Sequence, residues 1–131
     1  MADPARLGRR WFEEVWNLRR EETIDELLDP RVSALMEGVE IHGIDDFKKA
    51  RAELLGAFPD MKVVVEDVVA QGDNAVIRWS ATGVHSGAAM ALEPTRRPVA
   101  FRGMTWLVFR DGRIVKAWDA WNQGALIQSL R

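Results

Sequence analysis

The chain has 131 residues, of which 47% are hydrophobic and 29% are charged, and its formal net charge is −2. This length fits a single domain over residues 1–131 that can bury a sizeable core, and the near balance of charges argues against a nucleic-acid-binding protein. Cysteine and tyrosine are absent and only two histidines occur, which excludes disulfides, thiolate metal sites and catalysis by a thiol or a phenol, and argues against a zinc site.

The N-terminal part of the chain is predicted to be helical. Apolar residues recur at three- and four-residue spacing through the first thirty residues, which is typical of a helix with one buried face. Thr23 and Glu26 have the spacing of a capping box, which predicts that a second, short helix starts at Thr23. Pro30 makes continuation of this helix unfavourable.

The middle of the chain is predicted to contain short strands and another helix. Residues 32–41 are mixed in character and are interrupted near Gly38, so that they predict one or two strands. From Asp45 to Phe58 the apolar residues again mark one face of a helix, and Pro59 ends this pattern.

The second half of the chain is predicted to be an antiparallel meander. Four valine-rich or alternating segments are separated by turn residues, at 61–70, 75–85, 101–109 and 113–121. Asp111-Gly112 predicts a two-residue hairpin turn between the last two strands, and a short amphipathic tail predicts a final helical turn. Helices followed by a meander predict an α+β fold in which the helices pack on one face of the sheet.

Several short strings occur in an order that resembles a known family. They start with Arg10-Trp11-Phe12 and continue with AFPD at 57–60, VEDVV at 65–69, GVHSG at 83–87, DGRIV at 111–115 and Gln128-Ser129-Leu130. Together they resemble the SnoaL-like polyketide cyclases of the nuclear-transport-factor-2-like superfamily over nearly the whole chain. The resemblance implies a cone-shaped α+β barrel, with a curved antiparallel sheet packed against N-terminal helices around a hydrophobic pocket, and a homodimer.

The resemblance also implies a reaction without cofactor. In the family's cyclases a pocket carboxylic acid protonates a carbonyl of the hydrophobic substrate during an intramolecular aldol closure. The acid lies six positions before the closing Gln, which corresponds to Asn122 here, and an amide cannot exchange a proton at neutral pH. Two functions therefore remain open: a cyclase- or isomerase-like acid/base enzyme, and a non-catalytic ligand-binding or dimerising module.

Asp119 is the first candidate catalytic residue. If no bulge intervenes, the hairpin turn places Thr105 opposite Trp118 and leaves Asp119 on the other face of the sheet, where an ion pair with Arg102 is expected. A β-bulge would instead turn Asp119 into the pocket and make it available for proton transfer.

His85 is the second candidate catalytic residue, since the resemblance places a Gly-x-His near the pocket mouth. Alternatively, its imidazole ties the following loop to backbone carbonyls. The candidate substrate-binding residues are Asn122, Trp118, Trp79, Trp106, His42 and Arg102. The strand tryptophans suit either a ligand wall or a dimer interface, and His42 suits a contact at the start of a helix.

The predicted partners are a hydrophobic small molecule and a second copy of the chain. No Gly-rich phosphate loop, flavin motif or metal-ligand cluster occurs in the sequence, so that no cofactor and no metal ion is predicted. There is no long apolar stretch and no secretory signal, which predicts no membrane partner and a cytoplasmic location.

Overall fold

The computed structural model describes residues 3–88 and 92–131, and it confirms the predicted α+β class. The helices are α1 (Pro4–Trp11) with a π-helical continuation (Phe12–Asn17), α2 (Glu21–Leu27), α3 (Gly43–Ala57) and α4 (Gln123–Ser129). The strands are β1 (Leu28–Met36), β2 (Val39–His42), β3 (Lys62–Gln71), β4 (Asn74–Val84), β5 (Pro98–Arg110) and β6 (Arg113–Trp121).

The six strands form one curved, unclosed sheet in the order β2-β1-β6-β5-β4-β3. The meander predicted for the second half of the chain is confirmed, because β3, β4, β5 and β6 pair successively in antiparallel fashion. The sheet as a whole is mixed, since β1 pairs with β6 in parallel. This pairing places β6 in the middle of the sheet, so that its inner face is enclosed by neighbours on both sides.

The N-terminal helical region is interrupted at two points. The backbone changes to π-helical hydrogen bonding over Phe12–Asn17, and Arg19 then adopts a left-handed conformation with φ 61°. Helix α2 therefore begins at Glu21, and the capping box predicted at Thr23 is wrong. Thr23 lies inside α2, where its hydroxyl donates to the Glu14 carboxylate at 2.7 Å.

The hairpin between β5 and β6 contains a β-bulge. Asp111-Gly112 forms the expected two-residue turn, with φ 53° and 77°. Beyond the turn Phe109 pairs with Ile114, but the next pair joins Val108 to Lys116, which leaves Val115 as an extra residue.

The bulge places the side chains of β6 on the faces opposite to those that a bulge-free hairpin would give. The predicted bulge-free register is therefore wrong. Thr105 pairs with Asp119, not with Trp118, and Gly103 pairs with Trp121. Because successive side chains of a strand point to opposite faces, Asp119 lies on the inner face and Trp118 on the outer face. The ion pair expected between Asp119 and Arg102 is likewise wrong, since the two residues lie on opposite faces.

The hydrophobic core lies between the helices and the inner face of the sheet. Its largest fully buried apolar side chains are those of Phe58, Ile24, Ile77, Leu107 and Ile114. Within the described residues, no helix has the length and apolar character needed to cross a membrane.

Gly103 allows two tryptophan rings to meet on the inner face of the sheet. A Cβ atom at this position would lie 2.6 Å from the Cβ of Trp121 and 2.7 Å from Cζ2 of Trp79. The backbone oxygen of Ala120 would also lie 2.7 Å away. These distances are shorter than a van der Waals contact, so that any side chain here would push against β6 and against the Trp79 ring.

Replacing Gly103 with Ala is expected to lower the free energy of unfolding by about 1–3 kcal/mol, because the added methyl group overpacks the space between β6 and the Trp79 ring. Urea denaturation followed by circular dichroism measures this change. Gly124→Ala in α4 is the matched control, since its Cβ would meet its nearest neighbour at 3.7 Å and alanine favours a helix. Equal effects of the two substitutions would contradict the overpacking.

Candidate functional site

A cavity of about 410 Å³ opens between the helices and the inner face of the sheet. This volume lies within the range of small-molecule sites. The lining is mainly apolar and includes seven aromatic side chains, those of Trp11, Phe12, Trp16, Phe47, Trp79, Phe101 and Trp121. Its polar side chains are those of Glu37, Glu53, Thr105, Asp119 and Gln123, and no Arg, Lys or His among the described residues lines it.

Aromatic rings pack against one another on the sheet side of the cavity. Phe101 and Trp121 stack with ring centroids 4.8 Å apart, and Trp79 meets both edge-on at 6.0 and 6.3 Å. On the helical side, Trp11 and Trp16 pack against Phe47 at 5.1 and 6.0 Å. The two walls therefore consist of rings that support each other and offer flat apolar surfaces to a ligand.

Asp119 places its carboxyl group in this cavity at the end of a hydrogen-bonded chain. The indole N–H of Trp79 donates to Oγ1 of Thr105 at 3.0 Å, and the Thr105 hydroxyl donates to Oδ1 of Asp119 at 2.8 Å. The direction is fixed because an indole can only donate, which leaves the single hydroxyl hydrogen of Thr105 for Asp119. The second oxygen, Oδ2, receives no hydrogen bond from the described residues and is the atom available to a ligand.

Burial raises the pKa of Asp119 from 3.8 to about 6. Removal of the carboxylate from water is the largest cause, and the negative charge of Glu37 acts in the same direction. The hydrogen bond from Thr105 opposes them, because it favours the ionised form. Asp119 is thus half protonated near pH 6, as suits a group that both accepts and releases a proton.

His85 lies outside the cavity lining. Its side chain is fully buried, its Nδ1 lies 3.0 Å from Oγ1 of Thr95, and the Thr95 backbone N–H donates to the same nitrogen at 3.2 Å. Its backbone also exchanges hydrogen bonds with Arg96 and Arg97. The imidazole thus holds the following loop through the hydroxyl and the N–H of Thr95, not through backbone carbonyls.

Of the six candidate binding residues, Trp79 lines the cavity and the other five do not. Trp106, Trp118 and Arg102 lie exposed on the outer face of the sheet. His42 is exposed at the N-cap of α3, with its Nε2 3.4 Å from Glu40. Asn122 is also exposed and caps α4, where its Oδ1 accepts the N–H of Ala125 at 2.9 Å.

Sequence reasoning missed two polar residues that act on Asp119. Thr105 was detectable as the one hydroxyl on the inner face of β5, which is otherwise apolar. Its contact with Asp119 requires the bulge in β6. Glu37, in the turn before Gly38, gave no such signal, because its contacts depend on β1 pairing with a strand eighty residues later. In the part of the chain that the structure describes, no cluster of His, Asp and Glu has the form of a metal site.

Comparison with known proteins agrees with this fold. The sequence profile of the SnoaL-like polyketide cyclases matches residues 6–130. Among solved structures, AclR, a candidate hydroxylase from Streptomyces galilaeus, is 28% identical, with a TM-score of 0.87 over 99% of this chain and 96% of that protein. IdmH, a candidate polyketide cyclase from Streptomyces antibioticus, is 26% identical, with a TM-score of 0.86 over 98% and 99% of the two chains.

A third structure shows the likeness of fold alone. It is that of a candidate SnoaL-like polyketide cyclase from Jannaschia sp. CCS1, with 23% identity and a TM-score of 0.89 over 97% of this chain and 90% of the other. No curated protein sequence matches the chain significantly.

Replacing Asp119 with Asn is expected to raise the free energy of unfolding relative to the parent protein, and to do so by about 2 kcal/mol more at pH 8 than at pH 4. With its pKa raised on folding, Asp119 binds more protons in the folded than in the unfolded state between pH 4 and 6, so that its contribution to stability falls as the pH rises through this window. The amide removes this cost and still accepts the Thr105 hydroxyl.

Urea unfolding of both proteins from pH 4 to 8 measures the difference. Asp73→Asn, in the exposed turn between β3 and β4, controls for the loss of one negative charge. If the free energies of unfolding of Asp119→Asn and the parent protein differ by the same amount at every pH in this range, the raised pKa of Asp119 is contradicted.

Proposed function

Because the chain belongs to the SnoaL-like polyketide cyclase family, we propose that it is a cofactor-independent acid/base enzyme in which Asp119 exchanges a proton with a hydrophobic carbonyl substrate. The observation that carries this proposal is the inward-facing Asp119 carboxyl group, which has a pKa of about 6 and an oxygen free for a ligand in an apolar cavity. The acid that the resemblance implies at Asn122 is thereby supplied three residues earlier, near the end of β6.

In the proposed reaction one proton moves from a carbon atom of the substrate to an oxygen atom by way of Asp119. As a carboxylate, Asp119 removes a proton from the carbon next to a ligand carbonyl and leaves an enolate. The enolate carbon forms a bond to a second carbonyl of the same molecule, and the resulting alkoxide oxygen takes the proton from Asp119. This aldol closure consumes no other reactant and regenerates the carboxylate.

The charges of the cavity support a substrate without negative charge. Glu37, Glu53 and Asp119 are its ionisable side chains within the described ranges, and all three are acids. A ligand carboxylate would be repelled by Asp119 and would find no cation among the described lining residues, whereas an ester or a ketone meets neither obstacle. We therefore expect fused-ring aromatic esters to fit better than the corresponding free acids.

Asp119→Asn is expected to reduce proton abstraction by about 10²–10⁴-fold, because an amide cannot serve as a base. The assay follows deuterium exchange at the activated carbon of a naphthyl β-keto methyl ester by NMR. In the parent protein the rate should rise with pH and level off above pH 6, as Asp119 ionises. The corresponding free acid should exchange more slowly.

Asp73→Asn should leave the exchange rate unchanged, since this exposed residue lies in a turn outside the cavity lining. Exchange at the parent rate in Asp119→Asn would overturn the assignment of Asp119. Binding of the ester without any exchange in the parent protein would favour the non-catalytic ligand-binding module.

A separate observation supports association of two copies of the chain. The outer face of β5 and β6 exposes 53% of Met104, 47% of Trp106 and 38% of Trp118. The two tryptophan rings lie 5.3 Å apart, and Lys116 lies over the ring of Trp118 at 5.2 Å. Large aromatic side chains at this density are typical of an interface, and we propose that a second copy covers them.

Trp106→Glu is expected to convert a dimer into a monomer, because a charge in a desolvated interface is unfavourable. Sedimentation velocity over a range of concentrations measures the mass. Leu18→Glu, which introduces the same charge at an exposed position on the helical side, is the matched control and should leave the mass unchanged. A monomeric parent protein at all concentrations would contradict the interface.

A further inference from the structure

The turn between β1 and β2 carries a carboxylate that the proposed proton transfer does not use. Glu37 occupies this turn with a left-handed backbone, φ 49°, and it lines the cavity. Its backbone N–H donates to the carbonyl oxygen of Asp119 at 3.2 Å. This hydrogen bond thus extends the parallel pairing of β1 with β6 into the turn, beside Asp119.

The side chain of Glu37 holds the junction between β6 and α4. Its Oε2 accepts the backbone N–H of Trp121 at 3.2 Å, and its Oε1 accepts the backbone N–H of Gln123 at 3.0 Å. Both carboxylate oxygens are thereby engaged, one on each side of Asn122. Together with the backbone bond to Asp119, these contacts fix the segment 119–123 relative to β1.

Glu37 also acts on Asp119 through its charge. Burial of Asp119 and the negative charge of Glu37 both raise the pKa of Asp119, and Thr105 lowers it. Glu53, on α3, is the remaining titratable side chain of the cavity. Within the described ranges α1, its π-helical continuation, α4 and strands β1 to β5 contribute none. No cation of the lining offsets the repulsion between the two acids.

We propose that Glu37 is a positioning residue for Asp119: it anchors the end of β6 by hydrogen bonds, and its negative charge favours the protonated form of the Asp119 carboxyl group. The inference rests on the proposed function of Asp119. It assigns to the β1–β2 turn an effect on the proton affinity of the Asp119 carboxyl group. Two properties of one side chain are involved, its hydrogen bonds and its charge. Glu37→Gln and Glu37→Asp both disturb the hydrogen bonds, and only Glu37→Gln removes the charge, so that their comparison isolates the effect of the charge.

The test is the titration of Asp119 in Glu37→Gln, followed by NMR of protein with carbon-13-labelled aspartate side chains. The signal of Asp119 is assigned by its absence in Asp119→Asn. Glu37→Gln retains the length of the side chain, loses the charge and replaces one of the two acceptor oxygens by an amide N–H that faces a backbone donor. The loss of charge is expected to lower the proton affinity of Asp119 about threefold and to move its titration to lower pH. The pH profile of deuterium exchange should move in the same direction.

Glu37→Asp retains the charge and shortens the side chain, so that it should lower the free energy of unfolding. The pKa of Asp119 in Glu37→Asp should stay closer to that of the parent protein than the pKa of Asp119 in Glu37→Gln does. Glu40→Gln, an exposed change on β2, controls for the loss of one negative charge. An unchanged Asp119 titration in Glu37→Gln, or the same displacement in Glu40→Gln, would overturn the inference. The titration of Asp119 needs no turnover. Full exchange activity in Asp119→Asn would show that the proposed reaction is wrong, whereas an unchanged Asp119 titration in Glu37→Gln would show that the effect of Glu37 on Asp119 is wrong.

Discussion

The site depends on one extra residue in β6. Val115 interrupts the pairing with β5, and beyond it every side chain of β6 lies on the face opposite to that of a bulge-free hairpin. Asp119 thereby meets the hydroxyl of Thr105 on the inner face of the sheet. The β1 strand pairs with β6 on the other side and closes the inner face around the carboxyl group. The acid and its donor are therefore properties of the strand register.

The buried carboxyl group is a cost to the fold that the surrounding structure offsets only in part. One hydrogen bond from Thr105 stabilises the ionised form, while burial and the charge of Glu37 oppose it. A structure selected for stability alone would place an apolar residue here, since an unpaired buried charge is unfavourable. Local instability at one residue is a common feature of sites that perform chemistry.

The sequence predicted the elements better than it predicted their faces. The bounds of β6 and the hairpin turn followed from alternation and from Asp111-Gly112, which are local signals. The bulge stayed hidden because both registers place a tryptophan on the inner face, Trp118 in one and Trp121 in the other. Lys116 was the discriminating residue, because the bulge-free register would place it on the same face as the buried Ile114. Glu37 could not be recognised at all, since its partners come from the far end of the chain.

The helical wall of the cavity also contains an irregular element. The π-helical segment Phe12–Asn17 accommodates one residue more per hydrogen-bonded turn than an α-helix does, and it carries Phe12 and Trp16 beside Trp11 into the lining. Each wall therefore contains one added residue in an otherwise regular element, Val115 in β6 and one in the π-helical segment. Loss of Val115 alone would remove the bulge and still leave Asp119 opposite Thr105, so that β6 can lose a residue at this position without changing which side chains face the cavity.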